Sequence, residues 1–380
     1  MRIVIAPDSF KESLSAPQVA QAIARGVTSV APHAEIVSVP MADGGEGSLD
    51  AVLAAGDGER RTETVQNALG QPCQADWGLL PNATAFIEMA TAAGLAQIPA
   101  KQRNPLAATT YGVGQLIMAA INAGARRIVL ALGGSATNDA GAGLMQALGA
   151  GLLDAEGREL PTGAQALAQL HRVSLANLDS RLADVSFEIA VDVDNPLCGP
   201  RGASAIFGPQ KGATPEVVQQ LDGLLAHFAD VVAAQLGHDL RNEPGMGAAG
   251  GLGFPVRAFL KGSFRPGVEL IADISRLAQK MKGATLAFTG EGRMDSQTLL
   301  GKTPAGVARH AARHGVPLIA LVGSLGDGYQ QLYPKGLTAA FSLVPGPLEL
   351  SDALANAGPY LEDRAANCMR LWLAARGELE

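Results

Sequence analysis

The sequence predicts an α/β protein: a doubly wound, mostly parallel sheet carrying an inserted second α/β domain. Three observations support this. Short continuous apolar runs alternate with helical stretches towards both ends of the chain, as in parallel sheets covered on both faces. The middle shows alternating, hairpin-like strands instead. The 380 residues also exceed what one hydrophobic core usually serves.

The elements follow in order. Residues 3–6 read as a buried strand stopped by Pro7. Ser15 reads as an N-cap, with Pro17 in the first turn and Gln18 completing a capping box. Val19, Ile23, Val27 and Val30 follow at helical spacing. Residues 36–39 form a second strand, leading through a glycine-rich loop into an alanine-rich helix. Residues 106–123 read as helix and 127–132 as strand, with later strands at 285–289, 317–322 and 340–344. Crossover handedness makes such a sheet doubly wound. Between them, 62–65, 73–80 and 84–89 read as hairpin-like strands, and 187–193 as another strand. The main domain is expected to comprise 1–58, 100–146 and 276–380, and the insertion 59–99 and 147–275.

Composition narrows the function. A net charge of −7 argues against a polyanion partner such as nucleic acid, and 4% aromatic residues leave few stacking platforms. Small anionic ligands stay open, because a few local donors outweigh the global sign. Cys73, Cys198 and Cys368 form no metal-ligand spacing, and so sparse a count suits a reducing, cytoplasmic setting. No apolar stretch approaches the roughly 20 residues of a spanning helix, so no membrane role is expected.

The most informative segment is 133–149, GGSATNDAGAGLMQALG, directly after a strand. A strand running into glycines and then a helix presents unpartnered backbone N–H groups, which suit phosphate. Gly133 and Gly134 allow close approach, and Ser135, Thr137 and Asn138 add donors. Asp139 beside a phosphate is useful if it holds a cation or takes a proton. Three further polar clusters end strands: Asp8, Ser9 and Lys11; Asp43 and Glu46; and Glu291, Arg293 and Asp295. In an open α/β sheet such ends share one edge, where ligands bind. Asp192 and Asp194 end a strand of the insertion, and would face that edge if the insertion closes over it. Lys211 reads as a solvated lysine within reach of a phosphate or carboxylate. Gly301, Lys302 and Thr303 resemble the end of a P-loop whose first glycine is missing, and the GxGxxG at 245–250 lacks its preceding strand. His310 and His314 read as a solvated helix face.

PDSFKESLSA, MADGGEGS, GGSATNDAGAG, DVDNPLCGPRGA and GEGRMDSQTLLGK, in this order, resemble the type I glycerate kinases over nearly the whole chain. The resemblance implies a Rossmann- or flavodoxin-like domain with an inserted second domain. It also implies ATP, a divalent cation and a place in glyoxylate or sugar-acid breakdown, with 2-phosphoglycerate as product. Phosphoryl transfer is mainly positioning and electrostatics, so the clusters are assigned roles on physical grounds. Gly133, Gly134, Ser135, Thr137, Asn138 and Glu291 are expected to bind ATP, and Asp43, Glu46 and Asp139 to hold Mg2+. Asp192 or Asp194 is the expected base, Lys11 and Arg293 serve the anions, and Ser9 and Asp295 bind glycerate. Oligomeric state is left open. Alternatives are a kinase for another small hydroxy acid and a non-enzymatic organic-acid sensor, with a nicotinamide oxidoreductase a weaker third.

Overall fold

A computed structural model describes residues 1–379. The chain divides into two compact units. The first comprises Met1–Asp43, Asp50–Asp57 and Pro266–Glu380; the second comprises Gly44–Leu49 and Gly58–Arg265.

The first unit is built on five parallel strands in the order Ala339–Ser342, Leu318–Val322, Leu286–Thr289, Arg2–Ile5, Glu35–Ser38. Counted in chain order this is 2-1-3-4-5, the flavodoxin-like arrangement, whose switch point lies between the first and third strands. Alternate residues point to opposite faces. Ile3, Ile5, Leu286, Phe288, Ile319 and Leu321 join a core with Val19, Ile23, Leu361 and Met369 of the helices Ala16–Val30 and Ala357–Ala375. Val4, Ala287, Leu318 and Ala320, between them, are also buried, so both faces are covered. The predicted capping box starts the first helix: Ser15 N donates to Gln18 Oε1 at 2.9 Å.

The second unit carries a six-stranded mixed sheet in the order Ser263–Arg265, Ser186–Ala190, Arg127–Ala131, Thr84–Glu88, Pro72–Leu80, Glu59–Gln66. The first four are parallel, and the last two form the antiparallel meander read from the middle sequence. Here the expected boundaries need correction. Residues 100–146 were placed in the main domain, but Arg127–Ala131 pairs with Thr84–Glu88 and Ser186–Ala190. Strand pattern identifies a parallel strand without naming its neighbours. Residues 266–275 move the other way, into the first unit. The helix expected from 106 begins at Tyr111. Glu188 ties three neighbouring strands together, pairing with Arg127 at 2.5 Å and Arg265 at 3.0 Å. No helix among the described residues is long and apolar enough to cross a membrane.

Candidate active site

The strand ends of the first unit converge on a set of carboxylates. The chain leaves Arg2–Ile5 through Pro7 to Asp8, and leaves Leu286–Thr289 through Gly290 to Glu291. The two exits are joined: Asp8 N donates to Gly290 O at 2.8 Å. Asp8 and Glu291 therefore flank the switch point of the sheet. Asp8 Oδ2 accepts from Thr303 Oγ1 at 2.6 Å, and Oδ1 from Ser9 N at 2.6 Å. Glu291 Oε1 accepts from Thr298 Oγ1 at 2.6 Å, and Oε2 lies 3.8 Å from Lys302 Nζ.

These environments shift both acids. Burial, then the neighbouring Asp43 charge, pushes Asp8 up to about 6 against the hydrogen bonds from Thr303 and Ser9. Burial pushes Glu291 up to about 7, with Thr298 and Lys302 opposing and Asp8 and Asp295 adding to the rise. Carboxylates raised together at the strand-end edge of an open sheet nominate a candidate functional site.

Three of these partners, Thr298, Lys302 and Thr303, were not assigned from the sequence. The GKT run was set aside as an incomplete P-loop. Its use is different: Lys302 is the N-cap of the helix Thr303–Arg313, whose first turn carries Pro304, and that start lies against Asp8 and Glu291. The signal was the helix start itself, immediately after an acidic strand end.

The remaining predicted residues of this unit are placed less centrally. Asp295 caps the turn Ser296–Leu300, accepting from Gln297 N at 2.9 Å, and pairs with Arg293 at 3.0 Å. The hydrogen bond from Gln297 holds its carboxyl below the usual range. Arg293 and Lys11 are exposed, while Ser9 and Asp43 are half-buried. The histidine reading is corrected for His310, while His314 is exposed as expected. His310 is buried, with Nε2 at 3.2 Å from Glu269 Oε2, because its helix face packs inward.

In the second unit the glycine-rich segment behaves differently from expectation. Gly133 is glycine because Gly45 approaches closely: an added Cβ would lie 2.5 Å from Gly45 Cα. Gly134, at φ +73, needs the left-handed region. The helix that follows, Ala142–Ala147, has only six residues, and its start is already occupied. Asp139 Oδ1 accepts from Gly141 N at 3.1 Å, and Oδ2 from Gly143 N at 3.2 Å. Thr110 adds its N at 2.8 Å and its Oγ1 at 2.9 Å to Oδ2, and in turn accepts from Leu144 N at 2.9 Å. Asp139 is therefore buried and committed to the backbone at the helix start, and the N–H groups there bind it and Thr110 rather than a phosphate. Burial raises its carboxyl despite these bonds.

Thr137 and Asn138 are buried too, with Asn138 Nδ2 donating to Ser204 Oγ at 2.9 Å. The accessible part of the loop is Gly133 and Gly134. Asp192 and Asp194 follow Ser186–Ala190, the parallel neighbour of the strand leading to Gly133, so all lie at one sheet edge. Both are exposed, and Asp194 pairs with Arg201 at 3.2 Å. Lys211, read as solvated, is 1% exposed.

Among the described residues no three His, Cys, Asp or Glu side chains assemble as a metal-binding group. Magnesium needs less than that. It is commonly held by one or two carboxylates plus substrate phosphates. Asp43 fits such a role, since its charge already raises the neighbouring Asp8 and a cation would relieve that repulsion.

A flavodoxin-like sheet with titratable acids at its switch point defines an α/β enzyme for a small charged substrate. More specifically, the chain belongs to the glycerate kinase family, whose model matches residues 3–373. It is 47% identical to a glycerate kinase of Bacillus subtilis, with 96% of each chain covered. It is 46% identical to a glycerate 2-kinase of Escherichia coli, with 94% of each covered. Its structure matches one assigned as glycerate kinase 2 from Salmonella typhimurium LT2 at a TM-score of 0.91 and 44% identity, over 99% of each chain. The protein is an enzyme that phosphorylates glycerate. The sensor and oxidoreductase readings end there.

Proposed function

We propose that this glycerate kinase uses ATP with Mg2+, forms 2-phosphoglycerate, and takes the acceptor hydroxyl proton onto Asp8. The observation that carries the reading is the place of Asp8: just past the end of the first strand, at the switch point, its carboxylate oriented by Thr303 and Ser9. A base must be held in one geometry and keep a pKa near the working pH. Asp8, at about 6, meets both conditions, whereas Asp192 and Asp194 are exposed side chains. Asp43 is the metal-binding carboxylate, and Mg2+ would supply charge neutralisation on the donor phosphates. Glu291 holds Lys302, whose ammonium serves as a point charge for phosphate oxygens. Within the second unit, Gly133 and Gly134 offer an accessible turn that suits phosphate. Arg293 and Lys11, exposed cations near the acidic ends, are the candidates for the glycerate carboxylate. The 2-position rests on the glycerate 2-kinase among the relatives. Its place is a cytoplasmic step in glyoxylate or sugar-acid breakdown.

The test is ADP release from ATP, Mg2+ and D-glycerate, with phosphorus NMR of the product. Dependence on all three, a 2-phosphoglycerate signal, and a kcat reduced about 10²–10⁴-fold in Asp8→Asn are expected. No release above the glycerate-free control overturns the donor assignment. Phosphate on the 3-hydroxyl overturns the regiochemistry, and a near-normal kcat in folded Asp8→Asn moves the base elsewhere.

A further inference from the structure

Lys211 ends the turn Pro209–Lys211 in the second unit and points into the protein. Its ammonium donates to Ser135 Oγ at 2.8 Å and to the Thr137 carbonyl at 2.6 Å. Both acceptors belong to the loop that begins with the accessible Gly133 and Gly134. A lysine this deeply buried is rare unless paired, because taking an ammonium out of water costs several kcal/mol. The nearest acid acting on it is Asp139, whose oxygens are committed to Thr110, Gly141 and Gly143. So the charge is not spent in a direct ion pair. An ammonium has three donors and here uses two on protein acceptors. In the same loop, Thr137 Oγ1 and Asn138 Oδ1 are buried with no hydrogen-bond partner in the protein. Polar capacity is therefore concentrated under one loop, in excess of what holds the loop in place.

We propose that Lys211 is a positioning residue for phosphoryl transfer, fixing the 133–138 loop and placing positive charge beneath it so that Gly133 and Gly134 receive the donor's phosphates. This rests on the reading of that loop as part of the donor site. A neutral side chain could fill the same volume, since buried charges are often replaced by apolar residues without loss of stability. What the ammonium adds is charge and a fixed direction for Ser135 and Thr137. Burial lowers its pKa to about 7, with Asp139 opposing, so at neutral pH it still carries a substantial fraction of its charge.

The experiment compares wild type, Lys211→Met, Lys211→Arg and Ser135→Ala. It reads melting temperature, kcat, and KM for ATP and glycerate separately. Hydrogen exchange of 133–138 in the wild type, with and without Mg2+ and a non-hydrolysable ATP analogue, tests the underlying reading. The expected result is protection of 133–138 by the analogue. Lys211→Met should fold, raise KM for ATP at least tenfold, and leave KM for glycerate within about twofold; Lys211→Arg should recover part of the loss. Protection in the wild type with normal ATP kinetics in folded Lys211→Met overturns the role of Lys211. Absence of protection overturns the donor reading instead. If Lys211→Met fails to fold, Ser135→Ala decides: a severalfold higher KM for ATP supports the proposal, and wild-type kinetics overturn it.

Discussion

Thr303 Oγ1 donates to Asp8 Oδ2 at 2.6 Å, joining the first strand's exit to a helix start 295 residues later in the chain. This hydrogen bond favours the ionised carboxylate and opposes the rise caused by burial and Asp43. Thr303→Val removes it while keeping the shape. Asp8 should then titrate above its present value of about 6. The acid limb of kcat/KM should move to higher pH, with activity lost more at pH 6 than at pH 8. An unmoved limb would detach Asp8 from the proton transfer.

Glu291 makes a separate prediction about stability. Its folded pKa is raised from 4.5 to about 7, so the native state binds this proton more tightly than the unfolded chain. The corresponding stabilisation is full below pH 4.5 and is lost as pH rises to about 7. Its size is on the order of 3 kcal/mol, from the free energy of one pKa unit. Glu291→Gln keeps an acceptor for Thr298 and cannot ionise. Its melting temperature relative to wild type should climb between pH 4.5 and 7 and level off above. A pH-independent difference would show that the carboxylate is not held protonated.

Asp139 separates a structural role from a metal role. Asp139→Asn leaves at most one acceptor oxygen for the donors of Thr110, Gly141 and Gly143, and turns an amide towards the rest. Each buried donor left unsatisfied costs about 1–3 kcal/mol. The melting temperature should fall by several degrees, while the Mg2+ concentration for half-maximal activity stays within twofold of wild type. A selective rise in the Mg2+ requirement at unchanged stability would restore the metal assignment.

The sequence made local structure legible and long-range pairing much less so. The Ser15 capping box and the strands around Ile3, Ile36, Val129 and Ile319 follow from periodicity and cap chemistry, which are encoded within a few residues. The partners of Val129 are set by hydrogen bonds to residues far away in the chain, so its unit was misread. The same limit explains the site. Glu291 has an expected role as an acid at a strand end, whereas Asp8, in a like cluster, has none until its partners Thr303 and Asp43 are seen. Lys302 and Thr303 looked like a broken motif because their meaning depends on where the helix start lands. Asp139 and Lys211 were misread for a different reason: an acid or a lysine in a polar, glycine-rich string reads as surface, and only packing reveals which are buried.

The distribution of the first unit over three segments has a consequence for synthesis. Arg2–Ile5 finds one neighbour early, Glu35–Ser38, but its other neighbour is Leu286–Thr289. The strands of the second unit's main sheet lie within the 58–265 stretch, so their pairing can be complete while the first strand still lacks one side. On the ribosome, at about 5–20 residues per second, that side stays open for many seconds. The nascent chain must carry an unfinished parallel sheet through this interval, with one side of the first strand an unpaired edge until residues 286–289 have been made.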